Sequence, residues 1–213
     1  MHLAFILDGN RRWATEQGLP AIEGHRRGLL TVRDTIVEAC LEHKVDILSL
    51  YCFSTENWNR SKMEVSGLMM LFQEMIDTSI SKYASRGIAV RHIGRKDRLP
   101  ASLLASIDRA ERSIVGTAKL TVCLALDYGG QDEIVRAIQR VPRDELETLT
   151  AQTFTSYLDT SGLPPVDLLV RTGGDQRISN FLLWQSAYAE LIFLPKFLPA
   201  ITKEDITQCL SDY

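Results

Sequence analysis

Six short apolar runs recur along the chain with helical stretches between them, and this alternation restricts the fold more than any other feature. The runs cover residues 2–7 (HLAFIL), 46–53, 88–93, 119–126, 166–170 and 189–193. Strand-length runs separated by helices predict an α/β fold whose sheet is largely parallel. Residues 23–43 read as a helix, and a longer one runs from about Ser61 to Arg86, stopped by Gly87. In the longer helix Val65, Leu68, Met69, Phe72, Met75, Ile76, Ile80 and Tyr83 follow the i, i+3, i+4, i+7 spacing of one buried face. Pro100 suits the first turn of another helix. Residues 130–140 and 144–159 read as helices too, the latter ended by Pro164-Pro165. No repeat, low-complexity tract or linker interrupts residues 1–213, so the prediction is a single α/β domain. It has about six mostly parallel strands with surrounding helices.

The 24 Lys and Arg against 27 Asp and Glu leave a formal charge of −3, which excludes a broad nucleic-acid footprint. An anion site must then be a local concentration of arginine. Cys40, Cys52, Cys123 and Cys209 form no Cys-x-x-Cys pair, and free thiols in a reducing compartment are expected. No apolar run approaches the ~18 residues of a membrane span, and no signal peptide is visible. The expected setting is cytoplasmic, with at most peripheral membrane contact.

Three of the runs end in clusters that carry chemistry. Ligands of open α/β sheets bind beyond the carboxyl ends of parallel strands. After the first run come Asp8-Gly9-Asn10-Arg11-Arg12-Trp13. There Asp8 is a hard oxygen donor for Mg²⁺, Gly9 permits a tight turn, and Arg12 offers a planar fork for phosphate oxygens. After the second come Ser54-Thr55-Glu56-Asn57-Trp58-Asn59-Arg60, a polar set beside bulky aromatics that suits a substrate with a polar head and a greasy body. After the fifth, Arg171-Thr172-Gly173-Gly174-Asp175-Gln176-Arg177-Ile178-Ser179-Asn180 joins two arginines to a Gly-Gly turn. Successive amides around such glycines form an anion-binding nest. His25, opening the first long helix, is placed to reach the same rim.

Some chemistries are absent. There is no Gly-x-x-x-x-Gly-Lys-Ser/Thr, no Gly-x-Gly-x-x-Gly and no Asp-Asp-x-x-Asp pair. What is present closely resembles the cis-prenyltransferases, the undecaprenyl diphosphate synthase family, over nearly the whole chain. The resemblance rests on Asp8-Gly9-Asn10-x-Arg12-Trp13, Gly24-His25, Phe53-Ser54-x-Glu56-Asn57-Trp58-x-Arg60, Tyr128-Gly129-Gly130, Arg171-Thr172-Gly173-Gly174, Arg177-Ile178-Ser179-Asn180-Phe181 and Tyr188-Ala189-Glu190-Leu191. It implies a Mg²⁺-dependent homodimer that extends an allylic diphosphate, geranyl or farnesyl diphosphate, with isopentenyl diphosphate. The product is a Z-polyprenyl diphosphate such as undecaprenyl diphosphate. The alternative is a non-catalytic scaffold subunit of a heteromeric synthase.

The resemblance also implies roles. Asp8 is the catalytic Mg²⁺-linked carboxylate, and Glu190 is an acid that can join the metal shell, often from the dimer partner. Gly9, Asn10, Arg12, Trp13 and His25 hold the allylic diphosphate, while Arg171, Arg177 and Ser179 hold isopentenyl diphosphate. Ser54, Asn57, Trp58 and Arg60 belong to the loop that orders over the substrates, with Asn57 near the reacting centre. The C2 proton is taken either by the departing diphosphate or by Asn57 with water. The apolar face of helix 61–86, packed with helix 23–43 over the sheet, is the expected tunnel wall for the growing chain. Three departures stand out: Ala21 where many members carry arginine, Asp127 in place of asparagine before Tyr-Gly-Gly, and Asp175-Gln176 in place of a glutamate-led pair. An Arg-x-Gly segment is expected beyond Tyr213.

Overall fold

The computed structural model describes residues 1–114 and 116–213. Six strands form one sheet: β1 (His2–Ile6), β2 (Ile47–Ser54), β3 (Ile88–Ile93), β4 (Leu120–Tyr128), β5 (Leu168–Arg171) and β6 (Glu190–Phe193), in the order β3-β4-β2-β1-β5-β6. Every neighbouring pair is parallel. The helices are α1 (Asn10–Glu16), α2 (Ala21–Thr31), α3 (Val37–Glu42), α4 (Lys62–Ser85), α5 (Ala101–Glu111), α6 (Gly130–Arg140), α7 (Ala151–Phe154) and α8 (Lys203–Asp212). Ile6 is aligned with Tyr51 on one side and Arg171 on the other, so β1, β2 and β5 deliver their following residues to one rim. The order places β1 at the centre, where its buried run HLAFI is covered on both faces.

Three findings differ from the sequence reading. The helix expected over 23–43 is α2 and α3 joined by a π turn at Val32–Ile36, an inserted residue in the helical ladder. Residues 144–159 are not one helix. They make a 3₁₀ turn (Arg143–Thr148), the single-turn α7 and another 3₁₀ turn (Thr155–Tyr157). Hydroxyls compete with the helical ladder here: Thr148 bonds Glu145 O, Thr150 and Thr153 cap each other, and Ser156 bonds Thr153 O. Third, β2 and β4 each carry one extra residue near their carboxyl ends. Pairing passes from Tyr51–Ala125 to Phe53–Leu126 and then to Ser54–Tyr128, so Cys52 and Asp127 are the bulged positions.

α4 follows its expected stripe. Ser61 caps its first turn, accepting from the Glu64 amide, and Gly87 at φ 76 follows its end. Val65, Leu68, Phe72 and Ile76 bury against Leu3, Phe5, Leu48 and Leu50 in the main core. A smaller core on the other face joins Ile6, Tyr51, Tyr128 and Phe181. All four cysteines are free.

Two glycines one turn apart let α2 lie directly on α1. A Cβ at Gly24 would fall 2.1 Å from the Asn10 carbonyl oxygen, and one at Gly28 would fall 2.1 Å from Asn10 Oδ1. That approach carries the adjacent His25 to the rim. Gly24→Ala is therefore expected to push the helices apart and cost roughly 1–3 kcal/mol, the range for overpacking. A urea midpoint unchanged from wild type would contradict this.

Candidate active site

The site is built on Asp8, two residues past β1. Thr172, just past β5, fixes its backbone: Thr172 Oγ1 donates to Asp8 O at 2.7 Å and accepts from the Asp8 amide at 3.0 Å. Gly9 then turns at φ 99, and a Cβ there would lie 2.7 Å from the Phe197 ring. The Asp8 carboxylate accepts from the Gly9 amide at 2.6 Å and from Arg171 Nη2 at 2.9 Å, with Arg12 Nη2 at 3.3 Å. Burial by itself raises the Asp8 pKa. The Arg171 hydrogen bond, the Gly9 amide and the charges of Arg171 and Arg12 together outweigh it and hold the carboxyl below its ordinary value.

Arg171 is only 4% exposed. Besides Asp8 it reaches Ser179 Oγ at 2.7 Å, the Arg177 carbonyl at 2.5 Å and Asp175 Oδ2 at 3.3 Å. Asp175 Oδ2 also accepts from Arg177 at 2.8 Å and lies 3.8 Å from Arg12. One carboxylate oxygen thus sits among three guanidiniums. Ser179 and Asn180 adopt φ 50 and 64, turning the chain so that Ser179 faces Arg171. Tyr51 OH lies 3.3 Å from the Ser179 carbonyl, and its ring stacks on Phe181 at 4.4 Å.

The expected anion nest at Gly173-Gly174 is not formed. Their amides donate to Lys196 O at 2.8 Å and Leu194 O at 2.9 Å, stitching the end of β5 to the chain after β6. The glycines serve another end: a Cβ on Gly173 would meet Arg12 Nη2 at 2.8 Å. Removing side chains there lets Arg12 reach Asp8 and Asp175.

His25 is half-buried at the rim, and its Nε2, itself shielded from solvent, has no hydrogen-bond partner among the described residues. Burial, reinforced by the charges of Arg60 and Arg11 and opposed by Glu64, lowers its pKa to about 4. It is therefore neutral near pH 7. Asn10 Oδ1 is likewise unpartnered, while its Nδ2 donates to Leu7 O at 3.3 Å. Asn57 Oδ1 accepts the Ser54 amide at 3.2 Å, and Arg60 pairs with Glu64 at 3.0 Å.

These residues enclose a cleft of about 520 Å³ lined by Asp8, Asn10, His25, Ser54, Asn57, Arg60, Arg171 and Ser179. It shares Asp8, Asn10, His25 and Arg60 with a more open hollow of about 740 Å³, where Gly9, Arg12, Asp175 and Arg177 lie. On its inner side the cleft shares Leu29, Cys52 and Phe72 with a narrow apolar cavity of about 70 Å³ beneath α4, bounded at Tyr83 and Arg33. Cys52 is half-buried, and burial pushes its thiol up to about 12.

Three expected site residues are not at the cleft. Trp13 lines neither hollow. Trp58 turns its indole N–H to Asp127 at 2.8 Å and packs edge-on against Phe53. Glu190 opens β6 in register with Leu168 and hence with Leu3. That is the amino end of the sheet, about 16 Å below Asp8 at ~3.3 Å per residue. Within this chain it cannot share a metal with Asp8. Among the described residues no cluster of three or more His, Cys, Asp and Glu forms a metal cage. One ionised carboxylate at an open rim nonetheless fits Mg²⁺, which is held by one or two carboxylates together with substrate phosphates and water.

Sequence reasoning missed Asp175 as the shared counter-ion, although it is the only acid among the arginines of its cluster. It also missed Thr172 and Tyr51, whose contacts depend on β1–β5 pairing and on the packing of Phe181, which no local pattern announces. Asn180 bridges Glu56 at 3.1 Å and the Gln131 amide at 2.9 Å, tying the second cluster to the third.

An arginine-lined rim on a parallel sheet, opening onto a hydrocarbon-lined cavity, has a polar half and an apolar half within one α/β domain. The family model described as putative undecaprenyl diphosphate synthase matches residues 6–213. The isoprenyl transferase of Aquifex aeolicus is 43% identical over 212 residues, covering 100% of this chain and 91% of the relative. That of Treponema denticola is 42% identical, covering 100% and 93%. Lavandulyl diphosphate synthase from Lavandula x intermedia, solved with dimethylallyl diphosphate, superposes with a TM-score of 0.95 at 32% identity, covering 100% of this chain and 94% of that one. A probable undecaprenyl diphosphate synthase from Campylobacter jejuni gives 0.83 at 34% identity, covering 99% and 93%. The chain belongs to the undecaprenyl diphosphate synthase family of isoprenyl transferases.

The His25 pKa gives a stability signature. A folded-state value of about 4 against 6.5 means the unfolded chain binds this proton more tightly. The stability it contributes is full above about pH 6.5 and is lost as pH falls toward 4. At 1.36 kcal/mol per unit, the loss is at most about 3 kcal/mol. Urea unfolding at pH 7 and pH 4 should show wild type losing more stability than His25→Gln. Equal losses would contradict the neutral imidazole.

Proposed function

We propose that the protein condenses isopentenyl diphosphate with an allylic diphosphate to form a longer Z-polyprenyl diphosphate. The observation that carries this reading is the junction at Leu29, Cys52 and Phe72, where the arginine-rich cleft opens onto an apolar cavity. A diphosphate head and an isoprenoid body match those two halves. The lavender enzyme's complex with dimethylallyl diphosphate supports an allylic diphosphate as one substrate, and geranyl or farnesyl diphosphate is the expected primer. Asp8, Arg12, Arg171 and Arg177 are all in place, which speaks against a non-catalytic scaffold role.

In this reading Gly9, Asn10, Arg12 and His25 hold the allylic diphosphate, and Arg171, Arg177 and Ser179 hold isopentenyl diphosphate. The unpartnered His25 Nε2 donates to a phosphate oxygen in its Nε2–H tautomer. Three guanidiniums against two carboxylates leave the rim net positive for incoming anions. The allylic C1–O bond breaks with its electrons leaving on diphosphate, the isopentenyl double bond attacks C1, and loss of the C2 proton forms the new double bond. Holding both substrates on one rim supplies proximity, and fixed donors stabilise the departing charge. Asp8 is the residue that would hold Mg²⁺, and the ion would supply Lewis-acid stabilisation of the charge on the leaving group. Because Asn57 Oδ1 already accepts the Ser54 amide, the departing diphosphate is favoured as proton acceptor.

The growing tail enters the cavity beneath α4, where each five-carbon unit adds roughly 4 kcal/mol of possible burial. The cavity's small size favours short products over chains of undecaprenyl length. Homodimer pairing is proposed through the edge strand β6, beside which Tyr188 is 99% and Leu191 47% exposed. Glu190 belongs to that surface. Among the described residues no helix is long and apolar enough to cross a membrane. The four free cysteines support a reducing, cytoplasmic setting.

Labelled isopentenyl diphosphate with farnesyl diphosphate and Mg²⁺ should yield longer lipids. Asp8→Ala should lower turnover by at least about a hundredfold, the scale of losing one preorganised charge-stabilising group, with an unchanged circular dichroism spectrum. No product from wild type would sink the reading. Cys52→Trp should narrow the junction and shift products to shorter chains by chromatography; an unchanged distribution would show that the tail takes another route.

A further inference from the structure

The Ser54–Arg60 segment carries Asn57 and Arg60 at the cleft, yet its firmest anchor lies on the opposite side. Trp58 donates its indole N–H to Asp127 Oδ1 at 2.8 Å. Arg98 Nε donates to Asp127 Oδ2 at 2.8 Å, and Arg98 Nη2 pairs with Oδ1. The Arg98 guanidinium also lies over the Trp58 ring, 5.6 Å from its centroid. Asp127 is fully buried, has φ 52, and is the extra residue in the β4 bulge. A bulge next to an active site re-aims a side chain. This one turns a carboxylate out of the strand ladder and onto a loop aromatic. A buried carboxylate is tolerated only when its charge is met, and here Arg98 and the indole meet it.

We propose that Asp127 and Arg98 are positioning residues that clasp Trp58, holding the Thr55–Asn59 turn docked before substrate arrives so that Asn57 and Arg60 already face the cleft. The proposal rests on reading the cleft as the diphosphate site. A turn held in its working position loses little freedom on binding, so the clasp acts on the efficiency of the step and not on overall stability. Because Gly9, Asn10, Arg12 and His25, all outside the clasped turn, hold the allylic diphosphate in this reading, its KM should depend only weakly on the clasp. The kcat, which depends on groups at the reacting centre, should depend on it strongly.

The test uses the full chain with Asp127→Asn, Trp58→Phe and the double variant. Asp127→Asn is isosteric but neutral and cannot hold Arg98 bidentately. Trp58→Phe keeps a ring against Phe53 but removes the indole N–H. Three quantities are read: trypsin cleavage after Arg60 without substrate, the urea midpoint, and steady-state kinetics with farnesyl and isopentenyl diphosphates and Mg²⁺. Each single variant is expected to be cut after Arg60 at least tenfold faster with little change in midpoint. Its kcat should fall about tenfold while the KM for farnesyl diphosphate changes less than threefold. The double variant should be no more than about twofold worse than either single one, because both break the same clasp. Wild-type cleavage rates, fully additive losses, or activity falling only in step with the urea midpoint would overturn the proposal. If Asp127→Asn shows no cooperative unfolding, Trp58→Phe decides alone, since it leaves the Asp127–Arg98 pair intact. An inactive wild type whose cleavage still follows the expected pattern would refute the reading of the cleft and leave the clasp standing.

Discussion

The contact on which the site depends is the ion pair between Asp8 and Arg171. It joins the ends of two neighbouring parallel strands, β1 and β5, whose pairing ends at Ile6 and Arg171. Arg171 is almost wholly buried, so its charge has to be met locally. Asp8, Asp175, Ser179 and the Arg177 carbonyl do so, and in doing so fix the third cluster around the first. Removing one member of a buried pair costs more than the pair contributes, because the other charge is stranded. The consequence is that a carboxylate and a buried arginine are held at the rim by the fold itself.

Asp175 shows how the same geometry accommodates a cluster of arginines. Three guanidiniums with nothing between them would repel one another. A single carboxylate oxygen within 2.8–3.8 Å of all three holds them together. Arg171 remains buried behind it, while Arg12 and Arg177 are 47% and 63% exposed at their side chains. The arrangement separates a buried cation, which orders the site, from exposed ones at its mouth.

Much of this was legible in the sequence. The six apolar runs became the six strands to within two residues at each end, and for central strands such as β1 the reason is that burial on both faces leaves an unbroken apolar signature. The rim clusters were legible because turn glycines and charged residues directly after such runs have few other uses. The failures come from hydrogen-bond partners that periodicity does not show, some of them tertiary and some local. Gly173-Gly174 looked like a nest until the segment after β6 took both amides. Residues 144–159 had helical spacing, but their hydroxyls found local acceptors. Trp13 matched the Asp8 cluster and Trp58 the substrate loop, and neither pattern says which way an indole turns.

The two bulges tie the remaining parts together. In a regular parallel pair residues 52 and 127 would each have a partner in the ladder. The extra residue in β2 instead leaves Cys52 where cleft and apolar cavity meet. One step later the extra residue in β4 restores the register and turns Asp127 toward Trp58. Without the second bulge the displacement would carry on into Tyr128 and the Gly129-Gly130 opening of α6. A Cβ at Gly129 would lie 2.7 Å from Thr55 Oγ1 and 2.9 Å from Asn180 Nδ2, so a shifted strand end has no room against those two clusters. The channel mouth and the anchor of the loop over it are therefore set by one compensated irregularity, and neither can be altered without disturbing the other.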